Sequence, residues 1–340
     1  MASNHIVGLD IGGANIKAAH IDGLAVSQSF PLWKTPHQLP DALARVIQGF
    51  PRVDRLAVTM TGELADCFET KQEGVATILD AVEIAAEGRP IDVWQTAGEF
   101  VDPELAMEYP LLVAAANWHA LASWIGQTNP VGQALLIDIG STTTDIIPID
   151  SGLPATAGLT DVERLVSGEL VYAGVRRTPL VALAQEVPVG ESRIPLAAEY
   201  FASTLDLYLL SGDLAESKRD CATANGRPAT KAAARDRLCR MFCCDRTEIS
   251  EEQIEGIATY LREQHLNRLQ QAIAQINSRI DSPVLRVYLS GEGCFLAERL
   301  IMSFPELATA ERIRLDQLFS KELSTAACAY AVAQLAAQHG

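Results

Sequence analysis

Two copies of one short phrase in this chain carry residues suited to phosphate and metal chemistry. The segment Val7–Lys17 reads VGLDIGGANIK, and the segment Leu135–Asp145 reads LLIDIGSTTTD. Each is an apolar strand that ends in Asp-Ile-Gly, followed by small or hydroxyl residues and a second strand. The glycines permit a tight turn whose free N–H groups form a nest for an anion. An aspartate at the strand end can hold Mg²⁺. Two facing copies therefore predict a cleft that grips a phosphorylated ligand and its metal from both sides.

Asp10 and Asp138 are the predicted catalytic metal ligands of these turns. One Asp-Ile-Gly alone is usually an ordinary turn, but its duplication at corresponding positions favours a phosphate and metal site. Lys17 lies where Asp145 lies in the second copy, and it is either a solvated strand charge or a contact to a terminal phosphate. Asp145 and the small residues of both turns are predicted to contact the ligand, although the hydroxyl residues could also be simple strand formers. These small residues are Gly12, Gly13, Gly140, Ser141, Thr142 and Thr143.

A pair of carboxylates follows the strand that ends near Thr59. This is the end of a strand at which open α/β sheets bind their ligands. If the segment is helical, Glu63 and Asp66 lie one turn apart and could face the same cleft. Two nearby carboxylates can divide metal binding and base catalysis between them. We predict Glu63 as a catalytic base and Asp66 as a substrate contact; the alternative is a charge pair at a helix N-terminus.

The other candidates lie in the middle of the chain and near its end. An apolar helix contains Asn117, Trp118 and His119, and a buried structural histidine is commoner there than a catalytic one. Asp161 begins another helix, where it either caps the helix or faces the substrate. The predicted substrate contacts in these segments are Asn117, Trp118, Asp161, Arg164, Glu169, Tyr172, Gly291 and Gly293.

The composition describes a folded and acidic chain. Its 340 residues are 48% hydrophobic, which is enough for two domains with cores. The formal net charge of −16 argues against a nucleic-acid partner, because binding to nucleic acid needs clustered Lys and Arg. A phosphate ligand stays compatible, since backbone N–H groups and a metal hold it locally. The sequence contains no stretch typical of a transmembrane helix or signal peptide, so no membrane partner is expected.

The cysteines favour a reducing compartment. Seven of them, an odd number, are scattered through a large chain. This pattern suits the cytoplasm better than a disulfide framework, and we expect a cytoplasmic protein. Cys239, Cys243 and Cys244 lie close together, but no histidine completes a zinc pattern. We therefore predict that these three are small buried or partly exposed thiols.

The first half of the chain alternates strands and helices. The early strands follow one another directly and predict an antiparallel meander, whereas the later ones alternate with helices and predict parallel pairing. Strands are predicted over Ile6–Ile11, Asn15–Ile21, Leu24–Phe30, Arg55–Thr59 and Ile91–Gln95. Helices are predicted over Leu39–Gly49, Gly74–Ala86 and Glu104–Gly126.

The second half restarts this pattern with two strands and then enters a mostly helical region at about 161–279. A strand follows at Val284–Leu289, then a helix through Phe304, and an Ala-rich helix at Leu323–Gln338 ends the chain. The chain thus looks like a duplicated β-β-β-α-β-α unit of the α/β class with a helical insert in its second copy. The Asn129-Pro130 turn signal divides it into domains at 1–130 and 131–340.

At these motifs the chain resembles the actin-like ATPase superfamily of sugar kinases, Hsp70 chaperones and hydantoinase/oxoprolinase-like proteins. The two phosphate motifs of that superfamily match Asp10–Lys17 and Asp138–Asp145, and its adenosine-side motif looks like Leu289–Gly293. The resemblance covers the whole chain. It implies a duplicated, ribonuclease H-like α/β fold with two facing domains and a nucleotide cleft between them.

Five further phrases carry a closer resemblance. They are Thr59–Phe68 (TMTGELADCF), Ala116–Trp118 (ANW), Thr160–Leu165 (TDVERL), Gly168–Val175 (GELVYAGV) and Asn225–Pro228 (NGRP). They are similar to those of a narrow subfamily, the tetrahydromethanopterin-linked one-carbon-transfer proteins. That subfamily usually has Ala-Asp-Gly-Arg-Pro at the last phrase, and here Asn225 replaces the aspartate. This replacement argues against a metal or charge role at position 225.

The subfamily resemblance implies an activity. Its archaeal members resemble the enzyme that makes the aryl ether of methanofuran. That reaction joins the phenol of γ-glutamyltyramine to an aminomethylfuran-methyl diphosphate and releases pyrophosphate. For this chain it implies a transferase in which Mg²⁺ on Asp10 and Asp138, together with Lys17, stabilises the leaving pyrophosphate. Glu63 would take the phenol proton, and ATP would not be required.

Two alternatives stay open at this point. The same motifs suit an ATP-dependent small-molecule kinase or amidohydrolase, and they suit a nucleotide-binding regulatory protein. The fold alone does not choose between these functions. In the enzymatic interpretations the partner is a small-molecule phosphorylated substrate. A homodimer is compatible with the sequence.

Overall fold

The structure is a computed structural model that describes residues 5–339. It contains two large mixed β-sheets and a small hairpin. The strands are β1 (Ile6–Gly12), β2 (Asn15–His20), β3 (Ala25–Ser29), β4 (Arg55–Thr61), β5 (Ile91–Trp94), β6 (Phe100–Val101), β7 (Gln133–Ile139), β8 (Thr144–Asp150), β9 (Leu153–Pro154), β10 (Leu170–Val171), β11 (Glu186–Val189), β12 (Ser192–Pro195), β13 (Val284–Ser290) and β14 (Glu311–Arg314).

The two large sheets repeat one topology. The first has the strand order β3-β2-β1-β4-β5-β6, and the second has the order β10-β8-β7-β13-β14, with β9 paired to β8. In each sheet the first three strands pair in antiparallel fashion. The next two strands join in parallel. The predicted duplication of an α/β unit is therefore confirmed by strand order and by strand direction.

The duplication extends to single residues. In each sheet the aspartate of the Asp-Ile-Gly phrase lies opposite a charged residue of the second strand and beside a hydroxyl residue of the fourth. Successive residues of a strand point to opposite faces, so matched register places matched side chains in the same direction. The matched pairs are Asp10 with Asp138, Lys17 with Asp145, and Thr59 with Ser290.

Several helices begin at side-chain caps. Thr70, Thr160 and Ser250 each accept a hydrogen bond from the third residue of the helix that follows. Among the described residues, no helix combines the length and the apolar character needed to cross a bilayer. The α-helices are α1 (Leu39–Gln48), α2 (Lys71–Ala86), α3 (Pro103–Glu108), α4 (Pro110–Val113), α5 (Asn117–Thr128), α6 (Asp161–Ser167), α7 (Thr204–Ser211), α8 (Lys231–Arg240), α9 (Glu251–Asn277), α10 (Cys294–Met302), α11 (Pro305–Ala308), α12 (Leu315–Leu318), α13 (Lys321–Thr325) and α14 (Ala327–Gln338).

Helices α5 and α14 pack between the two sheets. They share one buried apolar cluster with β7, β8 and β13, and another with β1 and β4. Close packing depends on two glycines. A Cβ on Gly8 of β1 would collide with the carbonyl of Ala329, and a Cβ on Gly126 of α5 would collide with the carbonyl of Gly152. Helix α14 follows the second sheet in the chain, yet it packs against the first sheet.

Two predicted helices are interrupted in the structure. The helix predicted over 104–126 is three helices, α3 to α5. Pro110 begins α4 because proline fits only the first turn of a helix, and Ala115 has a φ of 50°, which ends helical geometry before α5. The tail predicted as one helix over 323–338 is divided at Ala326 between α13 and α14.

The region predicted as mostly helical, about 161–279, also contains strands. Strand β10 pairs with β8 and completes the antiparallel meander of the second sheet. The hairpin β11–β12 forms a separate small sheet. The additional segment of the second copy therefore lies between β10 and α9, because α9 occupies the place that α1 has in the first copy.

Gly8→Ala tests the packing of α14 against β1. The added methyl group must displace a backbone carbonyl, so we expect the free energy of unfolding to fall by about 1–3 kcal/mol or more. Urea denaturation measures the change. Gly256→Ala is the matched control, because Gly256 lies exposed within α9 with open space around it. It should gain about 0.5–1 kcal/mol from helix propensity. Equal effects of the two substitutions would contradict the packing.

Candidate active site

Asp10 and Lys17 face each other beside the first turn. Lys17 Nζ lies 3.6 Å from Asp10 Oδ2. Asp10 Oδ1 is buried and has no hydrogen-bond partner within residues 5–339. Burial raises the pKa of Asp10, although Lys17 opposes the rise. Burial would lower the pKa of Lys17, but neighbouring acidic groups, Asp10 first, outweigh it and the pKa is raised. Lys17 therefore stays charged, and one Asp10 oxygen remains without a partner.

Asp138 occupies the corresponding place in the second sheet, but its cross-strand neighbour is another carboxylate. Burial raises the pKa of Asp138 to about 6, and Asp145 adds to the rise. A hydrogen bond from Ser290 opposes it. Gly291 has a φ of 84° and lies against this carboxylate, where a Cβ would be 2.6 Å from Asp138 Oδ1. The predicted Gly291 is thus required for close approach of the chain to Asp138.

The backbone of both turns leaves N–H groups for a ligand. In the second turn the Gly140 carbonyl accepts from Val175 N at 3.0 Å, and the Ser141 carbonyl accepts from Arg176 N at 3.1 Å. The N–H groups of Ser141 and of the next two residues, 142 and 143, have no protein acceptor in the described part of the chain. In the first turn the Gly13 carbonyl likewise accepts a hydrogen bond, from Leu32 N at 2.9 Å. Bound carbonyls and free N–H groups are the arrangement of an anion nest.

Arg164 connects the second turn to helices α5 and α6. Its buried guanidinium forms an ion pair with Asp145 and lies 3.8 Å from Asp161. It donates to the main-chain oxygen of Glu169 at 3.2 Å and stacks 4.0 Å above the ring of Trp118. A desolvated cation–π contact of this kind is worth about 2 kcal/mol. The structure therefore brings the predicted residues Trp118, Asp145, Asp161 and Arg164 into one cluster.

Glu63 is buried beside this cluster. Burial raises the pKa of its carboxyl to about 7, partly opposed by Lys71 and by a hydrogen bond from the backbone of Ala115. Its Oε2 has no partner within the described chain. Lys71 forms an ion pair with Asp161 at 3.4 Å, which links α2 of the first sheet to α6 of the second. A carboxylate that titrates near neutral pH is suited to accept a proton from a substrate.

Two helix N-termini meet below the turns. Helix α5 begins at Asn117 and α14 begins at Ala327, and neither has a side-chain cap. Asn117 Nδ2 donates to Cys328 Sγ at 3.8 Å and so joins the two ends. Burial raises the pKa of Cys328 well above the ordinary value, and Asp10 and Asp138 contribute to the rise. The thiol therefore stays neutral between the two aspartates.

Three predicted substrate residues have other surroundings. Tyr172 is 60% exposed. Asp66 is exposed in a segment of turns, not a helix, so it does not share the buried environment of Glu63. Glu169 is fully buried, and its carboxylate is occupied by internal donors. These donors are the N–H groups of Ala157 and Gly158, the hydroxyl of Ser167 and the guanidinium of Arg279. Substrate contact by these three residues stays a prediction.

The remaining candidates have structural surroundings. A Cβ on Gly293 would collide with the side chain of Ile139, so Gly293 lets α10 approach β7. His119 is buried and accepts from Trp94 Nε1 at 3.2 Å. Burial lowers the pKa of His119 to about 4, with Arg164 adding to the effect. It is a neutral core histidine at neutral pH, as the apolar helix indicated.

Sequence reasoning missed Lys71, Ser290 and Cys328. Ser290 could have been found from the repeat, since it stands beside Asp138 as Thr59 stands beside Asp10. No local pattern identifies Lys71 or Cys328, because each reaches the site only through packing of distant segments.

Asn225 anchors a loop. Its Oδ1 accepts from Arg227 N at 3.2 Å and from Arg237 Nη1 at 3.3 Å. The buried Arg237 side chain forms an ion pair with Asp206, with Nη2 2.7 Å from Oδ1. An amide oxygen can accept both hydrogen bonds, so the asparagine side chain is sufficient to anchor this loop.

The three neighbouring cysteines do not form a metal centre. Among the described residues, the only group of three or more metal-ligating side chains close enough to share an ion contains no cysteine. Cys244 Sγ donates to the main-chain oxygen of Cys239 at 3.4 Å, and Cys243 is exposed. The prediction of free thiols is consistent with this arrangement.

Two facing sheets with matched Asp-turn motifs define a two-lobed protein with a cleft between the lobes, the architecture of actin-like ATPases. A proposed N-acetylmannosamine kinase of Listeria monocytogenes has a similar structure, with a TM-score of 0.50 at 14% identity over 99% of this chain and 100% of that one. At this identity the likeness concerns the fold alone, and it confirms the predicted fold class.

Sequence comparison is more specific. The model of the hydantoinase/oxoprolinase family matches residues 54–339. A protein of Methanocaldococcus jannaschii is 34% identical over 333 residues, which is 97% of each chain. Another, of Methanococcus vannielii, is 28% identical over 201 residues, 59% of this chain and 89% of that one. Both are named as the synthase of a furan-2-yl methanamine that carries a γ-glutamylaminoethyl-phenoxymethyl group. This chain belongs to the hydantoinase/oxoprolinase family.

Asp138→Asn and Asp145→Asn should change stability in opposite directions. Because burial raises the pKa of Asp138 from its ordinary 3.8 to about 6, its ionisation costs stability, and this cost grows as the pH rises from 3.8 to about 6 and is complete above that. We expect Asp138→Asn to raise the free energy of unfolding at pH 8 by on the order of 2 kcal/mol, and by less at pH 5. Asp145→Asn removes the partner of Arg164 and should lower it by about 3 kcal/mol. Urea denaturation at both pH values measures this; changes of the same sign would contradict the charge arrangement.

Proposed function

We propose that this protein is an aryl-ether synthase. It joins the phenol of a γ-glutamyltyramine-like acceptor to an aminomethylfuran-methyl diphosphate and releases pyrophosphate. Both relatives are named for a product with this phenoxymethyl-furan linkage, and one relative matches nearly the whole chain. The single structural observation that carries the proposal is the buried Glu63 carboxyl. It lies outside both phosphate turns, and its pKa of about 7 suits removal of a phenol proton.

The diphosphate would be bound by the two turns. Free N–H groups at Gly13 and at Ser141 and its neighbours would hold phosphate oxygens, and Lys17 would add a positive charge. The cleft suits Mg²⁺, because Asp10 has an oxygen without a partner and Asp138 is a half-buried carboxylate beside a like charge. Mg²⁺ is normally held by one or two carboxylates together with substrate phosphates, and it would neutralise charge that develops on pyrophosphate.

The reaction would proceed by displacement at the furan methylene carbon. The bond from this carbon to the diphosphate oxygen breaks, and its electron pair leaves with pyrophosphate. The phenol oxygen forms the new C–O bond, and its proton passes to Glu63. Lys17 and the turn N–H groups stabilise the leaving group, a type of electrostatic contribution that is often the largest in catalysis. Lys71 and Asp161 fix the wall of the cleft beside Glu63.

The adenosine side of the cleft supports a diphosphate substrate over a nucleotide. Glu292, within the Gly291–Gly293 phrase, pairs with Arg176 at 2.8 Å, and Arg176 also pairs with Asp220. These ion pairs link the phrase to the additional segment of the second copy. A furan diphosphate needs only the phosphate side of the cleft and a nearby proton acceptor. An ATP-dependent kinase or amidohydrolase would need room for a nucleoside beside these pairs.

The test is product formation from the two substrates without ATP. Purified protein is given γ-glutamyltyramine, the aminomethylfuran-methyl diphosphate and Mg²⁺, and both the ether and pyrophosphate are measured. We expect equal amounts of the two products, and loss of both in Asp10→Asn and Asp138→Asn. A parallel assay supplies ATP with the acceptor. No ether without ATP, together with acceptor-dependent ATP hydrolysis, would favour the kinase or amidohydrolase alternative.

Glu63→Gln should separate base catalysis from phosphate binding. We expect turnover to fall by about 10²–10⁴-fold, the usual contribution of a general base. The wild-type rate should rise with pH to a midpoint near 7, where Glu63 ionises, and the variant should lose this dependence. Binding of Mg²⁺-pyrophosphate, measured by calorimetry, should change little.

Glu69→Gln is the matched control for this substitution, because Glu69 is exposed six residues further along the chain. It should retain the wild-type rate and pH profile. A large loss of Mg²⁺-pyrophosphate affinity in Glu63→Gln would instead identify Glu63 as a metal ligand, and an unchanged rate would remove it from the mechanism.

A further inference from the structure

A second cluster of metal-ligating side chains lies at the opposite end of β1 from Asp10. His5 precedes β1, His20 ends β2, and Asp22 lies in the turn that leads to β3. One ligand atom from each of these three residues lies within 4.8 Å of the other two. Within residues 5–339 no other group of three histidine, cysteine or acidic side chains meets this condition.

The cluster is partly built into the fold. His20 is buried, and its Nε2 has no hydrogen-bond partner in the described chain. Its Nδ1 lies 3.2 Å from the Asp22 carboxylate and accepts from Asp22 N at 3.2 Å. The rings of His5 and His20 stack with their centroids 5.5 Å apart. A buried imidazole nitrogen without a partner costs free energy and calls for an explanation.

The charged side chains around the cluster do not prevent a cation from binding to it. Asp54 is another acidic residue beside the cluster, and its carboxylate accepts a hydrogen bond from His5 N at 3.4 Å. The same carboxylate accepts from Arg52 Nε at 3.0 Å. Asp22 is exposed, so its carboxylate can reorient without disturbing the core. The far side of His20 is covered by the Phe50 ring.

We propose that His5, His20 and Asp22 form a binding site for a divalent transition metal ion of the zinc class. Two imidazoles and one carboxylate are ligands that Zn²⁺ and Co²⁺ accept readily, with water completing the coordination. Imidazole is a poor ligand for Mg²⁺, which prefers oxygen. The site is thus distinct in chemistry from the two aspartates of the cleft.

The position of the site indicates a structural role. His5 precedes Asp10 by five positions, roughly 16 Å along an extended strand, so the ion would not meet the substrate. It would join the segment that precedes β1 to the β2–β3 turn. Strands β1 and β2 carry Asp10 and Lys17 at their other ends. A metal here would hold in register the two strands that form the first phosphate turn.

Calorimetric titration with Zn²⁺ tests the site. Metal-stripped protein without a polyhistidine tag is used, in the Asp138→Asn background to remove the cleft as a competing site. We expect one equivalent of Zn²⁺ to bind and to raise the melting temperature by mass action. Asp22→Asn should weaken binding by more than about tenfold, because a direct ligand is lost. Co²⁺ should give a visible d–d spectrum that Asp22→Asn removes.

Two controls complete the experiment. His37→Gln and Asp80→Asn change an exposed histidine and an exposed aspartate elsewhere in the fold, and both should bind Zn²⁺ as the parent does. His20→Asn should abolish binding; if this buried substitution unfolds the protein, Asp22→Asn decides. Absence of binding, or binding unaffected by Asp22→Asn, would overturn the proposal and leave His20 and Asp22 as a simple hydrogen-bonded pair.

Discussion

One buried and one half-buried carboxylate at matched positions of two facing sheets impose the main constraint on this structure. Asp10 and Asp138 point into the space between the lobes, and burial raises the pKa of both. Lys17 forms an ion pair with Asp10, whereas Arg164 forms its ion pair with Asp145 and not with Asp138. Negative charge therefore exceeds positive charge in the cleft. An excess of this kind destabilises the chain alone, and binding of the proposed Mg²⁺ would offset it.

The rest of the fold brings these groups together and keeps water away from them. Helices α5 and α14 fill the space between the sheets, and their small residues allow the backbones to approach closely. The ends of both helices lie below the turns, joined by Asn117 and Cys328. On the open side, Lys71 and Asp161 link the two lobes. Stability of the lobes and geometry of the cleft thus depend on the same contacts.

The two turns and the residues beside them carry different information: the turns reflect the fold, and the neighbouring residues bear on the chemistry. The paired turns belong to the fold as a whole, so they do not identify a reaction. Glu63 with its raised pKa, and Arg164 stacked on Trp118, form a wall that a generic nucleotide site does not require.

The sequence by itself determined the duplicated strand pattern and the two Asp-Ile-Gly turns, because both follow from neighbouring residues and from periodicity. It did not determine the second break in the helix predicted over 104–126, at Ala115, since a left-handed alanine leaves no local signal. Only the tertiary structure decided that Glu169 is enclosed by internal donors, and that Lys71 meets Asp161 across 90 residues of chain. It also decided that Cys328 lies against a helix start 211 residues earlier. Such contacts depend on how distant elements pack, which no short segment encodes.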